Sequence, residues 1–124
     1  MTVLIGIDVI ENERFARAMR RRPRILKRVF TPAEREYCLA RPDPVQHFAA
    51  RFAAKEAVGK ALGTGVVSWQ EIEIRSEGRP RVRITGRTRR VAENAGASGL
   101  SVSMSHCGTV SVSVAVARAT GSID

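Results

Sequence analysis

RFAAKEAVGKALGTG, residues 51–65, is the stretch that organises the rest of the chain. Alanine and unbranched side chains dominate it, and these are strong helix formers. Read back through its N-terminal side, it predicts one long central helix from about Val45 to Leu62, preceded by a turn at Arg41-Pro42-Asp43-Pro44. Gly63 ends that helix, because glycine takes the left-handed C-cap conformation without a Cβ penalty. Glu56 and Lys60 stand four apart on one face, Gly63 lies on the same stripe, and Phe52 lies at its other end. An exposed Glu–Lys pair at this spacing is ordinary helix surface, worth about 0.3–0.5 kcal/mol. Phe52 argues for more, since it should point into the core and bring the pair to the core's border. The Gly63-Thr64-Gly65 turn beside them would present backbone N–H groups to an anion, so the stripe reads as a phosphate-binding corner.

Outward from this helix, residues 3–10 (VLIGIDVI) read as a buried strand. With a period of two, Asp8 shares a face with Leu4, Gly6 and Ile10. A carboxylate on such a face is costly unless it is paired or binds a metal. Residues 12–22 predict a helix stopped by Pro23, and Thr31-Pro32 an N-cap opening a second helix to about Ala40. On the other side, residues 70–75 and 81–85 predict a hairpin around Glu77-Gly78-Arg79-Pro80. A helix over 87–95 follows, then alternating strands over 101–106 and 109–117 joined near Gly108. The pattern is one α+β domain over residues 1–124, a mostly antiparallel sheet with a long central helix. His106 closes the strand that carries Val102 and Met104. Ser105 points to the opposite face, so the adjacent Ser–His pair is no nucleophile and base, and a serine hydrolase is disfavoured.

The chain has 124 residues and a net charge of +9. Residues 11–35 hold nine basic and three acidic side chains, so six of the nine net charges lie there. Such a balance implies an acidic partner. Arg14, Arg17 and Arg21 form one stripe of the first helix, beside the apolar Phe15 and Met19. Arg24 and Arg28 extend it. This reads either as a solvated face or as a docking face for an acidic helix, with Phe15 or Met19 as apolar anchor. Docking of that kind weakens steeply with salt. The alternative is a small nucleic-acid-binding protein. Aromatic residues make up only 5% of the chain and do not interleave the arginines, which disfavours base stacking. A metal-dependent phosphoesterase using Asp8 and Glu56 is a further rival. Cys38 and Cys107 have no metal-type spacing and read as reduced thiols of a cytoplasmic protein. No apolar run approaches the ~20 residues that span a bilayer, and the N-terminus lacks a signal-peptide pattern.

Four blocks then carry a resemblance. Gly6-Ile7-Asp8-Val9-Ile10-Glu11 with Arg14-Phe15, the 51–65 stretch, Gly78-Arg79-Pro80 before a strand, and Ser103-Met104-Ser105-His106 come in an order that resembles the holo-[acyl-carrier-protein] synthases. Asn12 and Cys107 depart from the residues usual there, and Val66–Trp69 is a shorter segment than in many members. The resemblance implies a 4′-phosphopantetheinyl transferase-like fold and a homotrimer with active sites at the subunit interfaces. It implies Mg²⁺-dependent transfer of 4′-phosphopantetheine from coenzyme A to a serine of an acidic apo-acyl carrier protein, releasing 3′,5′-ADP. This is chemistry of fatty-acid or polyketide synthesis, away from membranes. Carried over by position, Asp8 and Glu56 hold the metal and Lys60 contacts phosphate. Arg51, Gly63, Gly65, Pro80, Ser105 and His106 lie at or near coenzyme A. His106, Glu56 through a water, and a metal-bound water are the candidate acceptors for the serine proton.

Overall fold

Thr2–Glu11 (β1) are almost all apolar or β-branched, and they run straight into α1 (Asn12–Arg21) and the short α2 (Ile25–Val29). The structure, a computed structural model, describes residues 2–76 and 78–120. After α2 come α3 (Pro32–Leu39), α4 (Pro44–Leu62) and a 3₁₀ turn (Trp69–Glu71). They are followed by the hairpin β2 (Ile72–Arg75) and β3 (Arg81–Ile84), α5 (Gly86–Asn94), β4 (Ala97–His106) and β5 (Val110–Ala119). The fold is α+β. One antiparallel sheet has the order β1-β5-β4, and β2-β3 pair separately.

Helix α4 lies on one face of the three-stranded sheet, and small side chains allow it to lie close. A Cβ added to Gly6 would fall 2.0 Å from the Ala57 carbonyl oxygen, so strand and helix backbones all but touch there. Ala54, Ala57, Val58 and Ala61 of α4 pack with Val102, Ala115, Ile72 and Ile74 into a sheet-side core. On the helical side, Phe48 and Ala49 join Phe15, Val29, Phe30 and Cys38. Gly63 (φ 84°) ends α4 as expected.

Between α3 and α4 runs a buried polar hub. Thr31 and Glu34 form a reciprocal capping box at the start of α3. Glu34 Oε1 accepts the Thr31 N–H (2.8 Å) and the Lys55 ammonium (2.7 Å), while Oε2 accepts the Ile74 N–H (2.8 Å). Lys55 Nζ also donates to the carbonyls of Val29 (2.8 Å) and Trp69 (3.0 Å). Both charged side chains are wholly buried.

The structure corrects four sequence expectations. Strand β1 is covered on one face only: Val3, Ile5, Ile7 and Val9 are 56–66% exposed. A strand apolar at nearly every position hides which face meets the core. Gln70 and Glu71 leave the expected strand for a 3₁₀ turn. There Glu71 caps α5, accepting from the Thr88 N–H (3.0 Å), the Thr88 hydroxyl (2.9 Å) and the Arg87 N–H (3.2 Å). Helix α2 forms between Pro23 and Thr31, where no element was expected. Strands β4 and β5 run longer than expected, with a register shift between Ser98 and Ser101.

Candidate active site

Asp8 sits on the inner face of β1 beneath α4. Lys60 Nζ donates to its Oδ1 (3.1 Å) and to the Ile7 carbonyl (2.9 Å). The expected pair of Lys60 with Glu56 is therefore not the contact that forms. The strand beside the helix offers two acceptors at once, and the lysine reaches across to them. Glu56 stays in the same corner. Burial first, and the Asp8 charge second, raise its carboxyl above the ordinary glutamate range, with Lys60 opposing. These three side chains border a groove of about 730 Å³ whose other wall includes Ile10, Phe15 and Phe52. Asp8 and Glu56 supply hard oxygen donors, and no group of three or more candidate metal ligands occurs among the described residues. Two carboxylates suit Mg²⁺, which takes few protein ligands and fills its shell with water and substrate phosphate. The donor set thus fits that ion together with a phosphorylated substrate. The N–H groups of Gly63 and Gly65 do not face an anion as expected. They close the helix, donating to the carbonyls of Lys60 (3.1 Å) and Gly59 (3.0 Å).

His106 belongs to a second centre. Asp8 and His106 lie on the two edge strands with β5 between them, which sets them at least ~10 Å apart at the usual strand spacing. The ring of His106 meets His47 edge-on (centroids 5.6 Å), and His47 meets Tyr37 (6.0 Å). The Tyr37 ring also receives the guanidinium groups of Arg41 (4.0 Å) and Arg51 (4.3 Å). Arg51 donates to the His47 carbonyl (3.3 Å) and to the Ser76 hydroxyl. Its Nε–H is buried without an acceptor. Among the described residues no carboxylate forms an ion pair with Arg41 or Arg51. Ser105 is exposed on the face of β4 opposite His106. Pro80 and Arg81 border a separate shallow pocket along β4 with Ser101 and Ser103. Arg41 and His47 escape sequence reading because a turn arginine and a lone helical histidine have no periodic partner.

On α1, Arg14, Arg17 and Arg21 are exposed, as are Arg24 and Arg28 beyond it. Phe15 is not an outward anchor. It is 4% exposed and packs on Phe30 (6.3 Å) and Phe52 (5.3 Å). Met19 is half-buried on the same cluster, and Ile25 lies beside Arg14, Arg17 and Arg21 in a shallow depression.

Comparison with known proteins converges on one family. Residues 4–115 match the model described as the 4′-phosphopantetheinyl transferase superfamily. The chain is 54% identical over 115 residues to a holo-[acyl-carrier-protein] synthase of Moorella thermoacetica, covering 90% of each chain. Among solved structures it resembles the Neisseria meningitidis holo-[acyl-carrier-protein] synthase (TM-score 0.83, 32% identity, 92% of this chain and 96% of that one). It also resembles the Chronobacterium ammoniagenes ACPS–CoA complex (TM-score 0.86, 27% identity, 98% of this chain and 100% of that one).

Proposed function

From the premise that this chain belongs to the 4′-phosphopantetheinyl transferase superfamily, among its holo-[acyl-carrier-protein] synthases, we propose a specific reaction for it. It moves 4′-phosphopantetheine from coenzyme A to a serine of an acidic apo-acyl carrier protein, with Mg²⁺ required and 3′,5′-ADP released. The observation that carries this reading is the Asp8, Glu56 and Lys60 corner opening on one groove. Asp8 and Glu56 would hold the ion. When bound, it would neutralise charge developing on the leaving phosphate. Lys60, whose ammonium is about half exposed, supplies a mobile positive charge to the diphosphate. The serine oxygen attacks the β-phosphorus, the bond to the bridging oxygen breaks, and that oxygen leaves on 3′,5′-ADP. Glu56, held above the ordinary glutamate range, is the nearby acceptor for the serine proton, through a water. The arginines of α1 and α2 receive the acidic carrier, with Ile25 and Met19 as the apolar surface among them.

The second centre enters through assembly. Ile5, Ile7 and Val9 pair in register with Val116, Val114 and Val112, so the uncovered sheet face is an apolar field. A face of this kind marks an interaction surface. A homotrimer built on it would cover the field and set the Arg51–His106 centre of one copy beside the Asp8–Glu56 corner of the next. Residues Arg51, Pro80, Ser105 and His106 would then grip the adenosine end of coenzyme A. Ile5→Asp is expected to dissociate the assembly to monomers in sedimentation velocity and to abolish transfer. A variant that stays assembled would sink the interface assignment. No helix among the described residues is long and apolar enough to cross a membrane. A cytoplasmic enzyme serving fatty-acid synthesis suits the proposed reaction.

The test of the activity is intact-mass analysis of an apo-acyl carrier protein incubated with the protein, coenzyme A and Mg²⁺. One added phosphopantetheine, lost with chelator and restored by Mg²⁺, is the expected result. An unmodified carrier across several apo-carriers would overturn the assignment.

A further inference from the structure

Helix α2 is five residues long, too short to hold itself in water. Its inner side is kept by apolar packing: Val29 is buried, and Ile25 and Leu26 lie against the cluster that contains Phe15, Phe30 and Phe48. Its outer side carries the exposed Arg28, with the exposed Arg24 just before it. Apolar packing is non-directional, so it does not by itself fix how the helix slides or turns on that cluster. Hydrogen bonds supply the direction, and they gather at one end. The Val29 carbonyl accepts from Lys55 (2.8 Å), and the Phe30 carbonyl accepts from Arg35 (2.6 Å). The Gln70 amide donates to the Lys27 carbonyl (2.5 Å) and, more loosely, to the Phe30 carbonyl (3.4 Å). Carbonyls left over at the end of α2 are thus met by side chains of α4, α3 and the 3₁₀ turn.

The neighbours of Gln70 hold it in place. The Trp69 ring stacks on Phe52 of α4 (centroids 5.0 Å, 22° between planes), and the Trp69 carbonyl accepts from Lys55. On the other side, Glu71 is tied to the start of α5 through Thr88. A side chain between two such fixed residues is a short arm with a steady base. Phe52 lies one helical turn before Glu56, and Lys55 directly precedes it. Gln70 therefore refers the position of α2 back to the helix that carries Glu56 and Lys60.

We propose that Gln70 is a positioning residue for carrier recognition: it sets α2, with Ile25 and Arg28, at the distance and angle from the Asp8, Glu56 and Lys60 corner at which a docked carrier presents its serine. The inference rests on the carrier-docking reading above and adds to it a residue that acts through α2. Lys55 and Arg35 are charged, and Lys55 belongs to the buried hub. Gln70 is neutral and exposed, so its loss strands no charge. A docking face that is set loosely must be ordered before the carrier binds, and part of the binding energy goes into that ordering. The cost falls on the KM for the carrier, while coenzyme A, which does not bind through α2, feels none of it.

The test is initial-rate kinetics of carrier modification by intact mass, with carrier and coenzyme A varied in turn, on Gln70→Met and Gln70→Ala. Both replacements are neutral, so the attraction for an acidic carrier stays as it was. Methionine keeps the length and loses the donor. Each should raise the KM for the carrier about three- to fivefold, the scale of one hydrogen bond, with kcat and the KM for coenzyme A within a factor of about two. Gln70→Met is then placed in an Ile25→Ser/Arg28→Ala background, where α2 no longer offers its contacts. There it should add little, because residues that act through one element are not additive. A carrier KM unchanged in both variants overturns the proposal, as does an effect that appears instead in kcat or in the KM for coenzyme A. So does an equal factor in the two backgrounds, which is what a general loss of stability would give. If Ile25→Ser/Arg28→Ala itself leaves the carrier KM unchanged, α2 is no docking face, and that reading falls together with the role of Gln70. A wild-type protein that modifies no carrier overturns the proposed reaction as well.

Discussion

Glu56→Gln is expected to lower the transfer rate by at least ~10²-fold, the scale of removing one preorganised electrostatic group, while its melting temperature holds or rises. The two halves have one cause. Burial and the neighbouring Asp8 raise the folded-state pKa of Glu56 above its unfolded value. A raised carboxyl favours the native state only while it is protonated, at pH below the unfolded value. That contribution is lost as pH climbs through the folded value, so at neutral pH the ionised group works against folding. Glutamine removes the penalty and, with it, one of the two anionic donors of the proposed metal site. Asp8→Asn should lose activity similarly, but it also gives up the contact with Lys60 at 3.1 Å, so its stability should change slightly in the other direction. Carrier mass gain over time and differential scanning calorimetry at pH 7 check both. Glu56→Gln with wild-type turnover would remove Glu56 from the site. A Glu56→Gln protein that melts several degrees lower would show the residue to be structural.

Lys55→Met is expected to cost about 3–5 kcal/mol of unfolding free energy, although it lies one residue from Glu56 and on the same helix. All three ammonium donors are committed: to Glu34, to the Val29 carbonyl and to the Trp69 carbonyl. Removing the lysine leaves a wholly buried carboxylate, a buried carbonyl and a partly buried one without that partner. Burial already disfavours the charged lysine, and Glu34 is what sustains it. The pair is therefore strongly interdependent. Glu34→Gln combined with Lys55→Met should recover part of the loss, because the uncompensated charge is gone while the amide oxygen can still cap Thr31. Urea unfolding at one fixed protein concentration measures this, since assembly contributes to apparent stability. A cost below about 1 kcal/mol, the scale of an exposed pair, would sink the claim that this hub holds α3, α4 and β2 together.

The sequence made the local signals legible and left the tertiary ones obscure. Gly63 as a helix stop, Thr31-Pro32 as a helix start and the hairpin across 72–84 are set by neighbours a few residues away, and the structure has them. The juxtaposition of Asp8 with Glu56 and Lys60 was readable because motif order supplied what periodicity could not. The partner of Lys60 was not, because an i,i+4 rule knows only the helix, and the winning acceptors lie on a strand more than fifty residues earlier. Phe15 looked like an anchor from its place beside the arginines. Its true direction depends on Phe30 and Phe52, which arrive from other helices. Glu34 and Lys55 carry no sign in their types that they are buried, since such residues are seldom buried unless paired. Arg41 and His47 gain meaning only when β4 brings His106 alongside.

Consecutive residues of β1 face opposite ways: Ile5, Ile7 and Val9 toward open solvent, Gly6 and Asp8 toward α4. Alternation makes the strand a two-channel tape, and its reading frame matters as much as its letters. Deleting one residue between Val3 and Gly6 would shift that frame by one, carrying isoleucine into the corner beside Glu56 and Lys60 and the carboxylate onto the apolar outer field. Exchanges among valine, isoleucine and leucine on the outward channel change little of this. Length variation in β1 is therefore far more restricted than its unexceptional composition suggests, and homologous chains should drift in identity along it while keeping its register against β5.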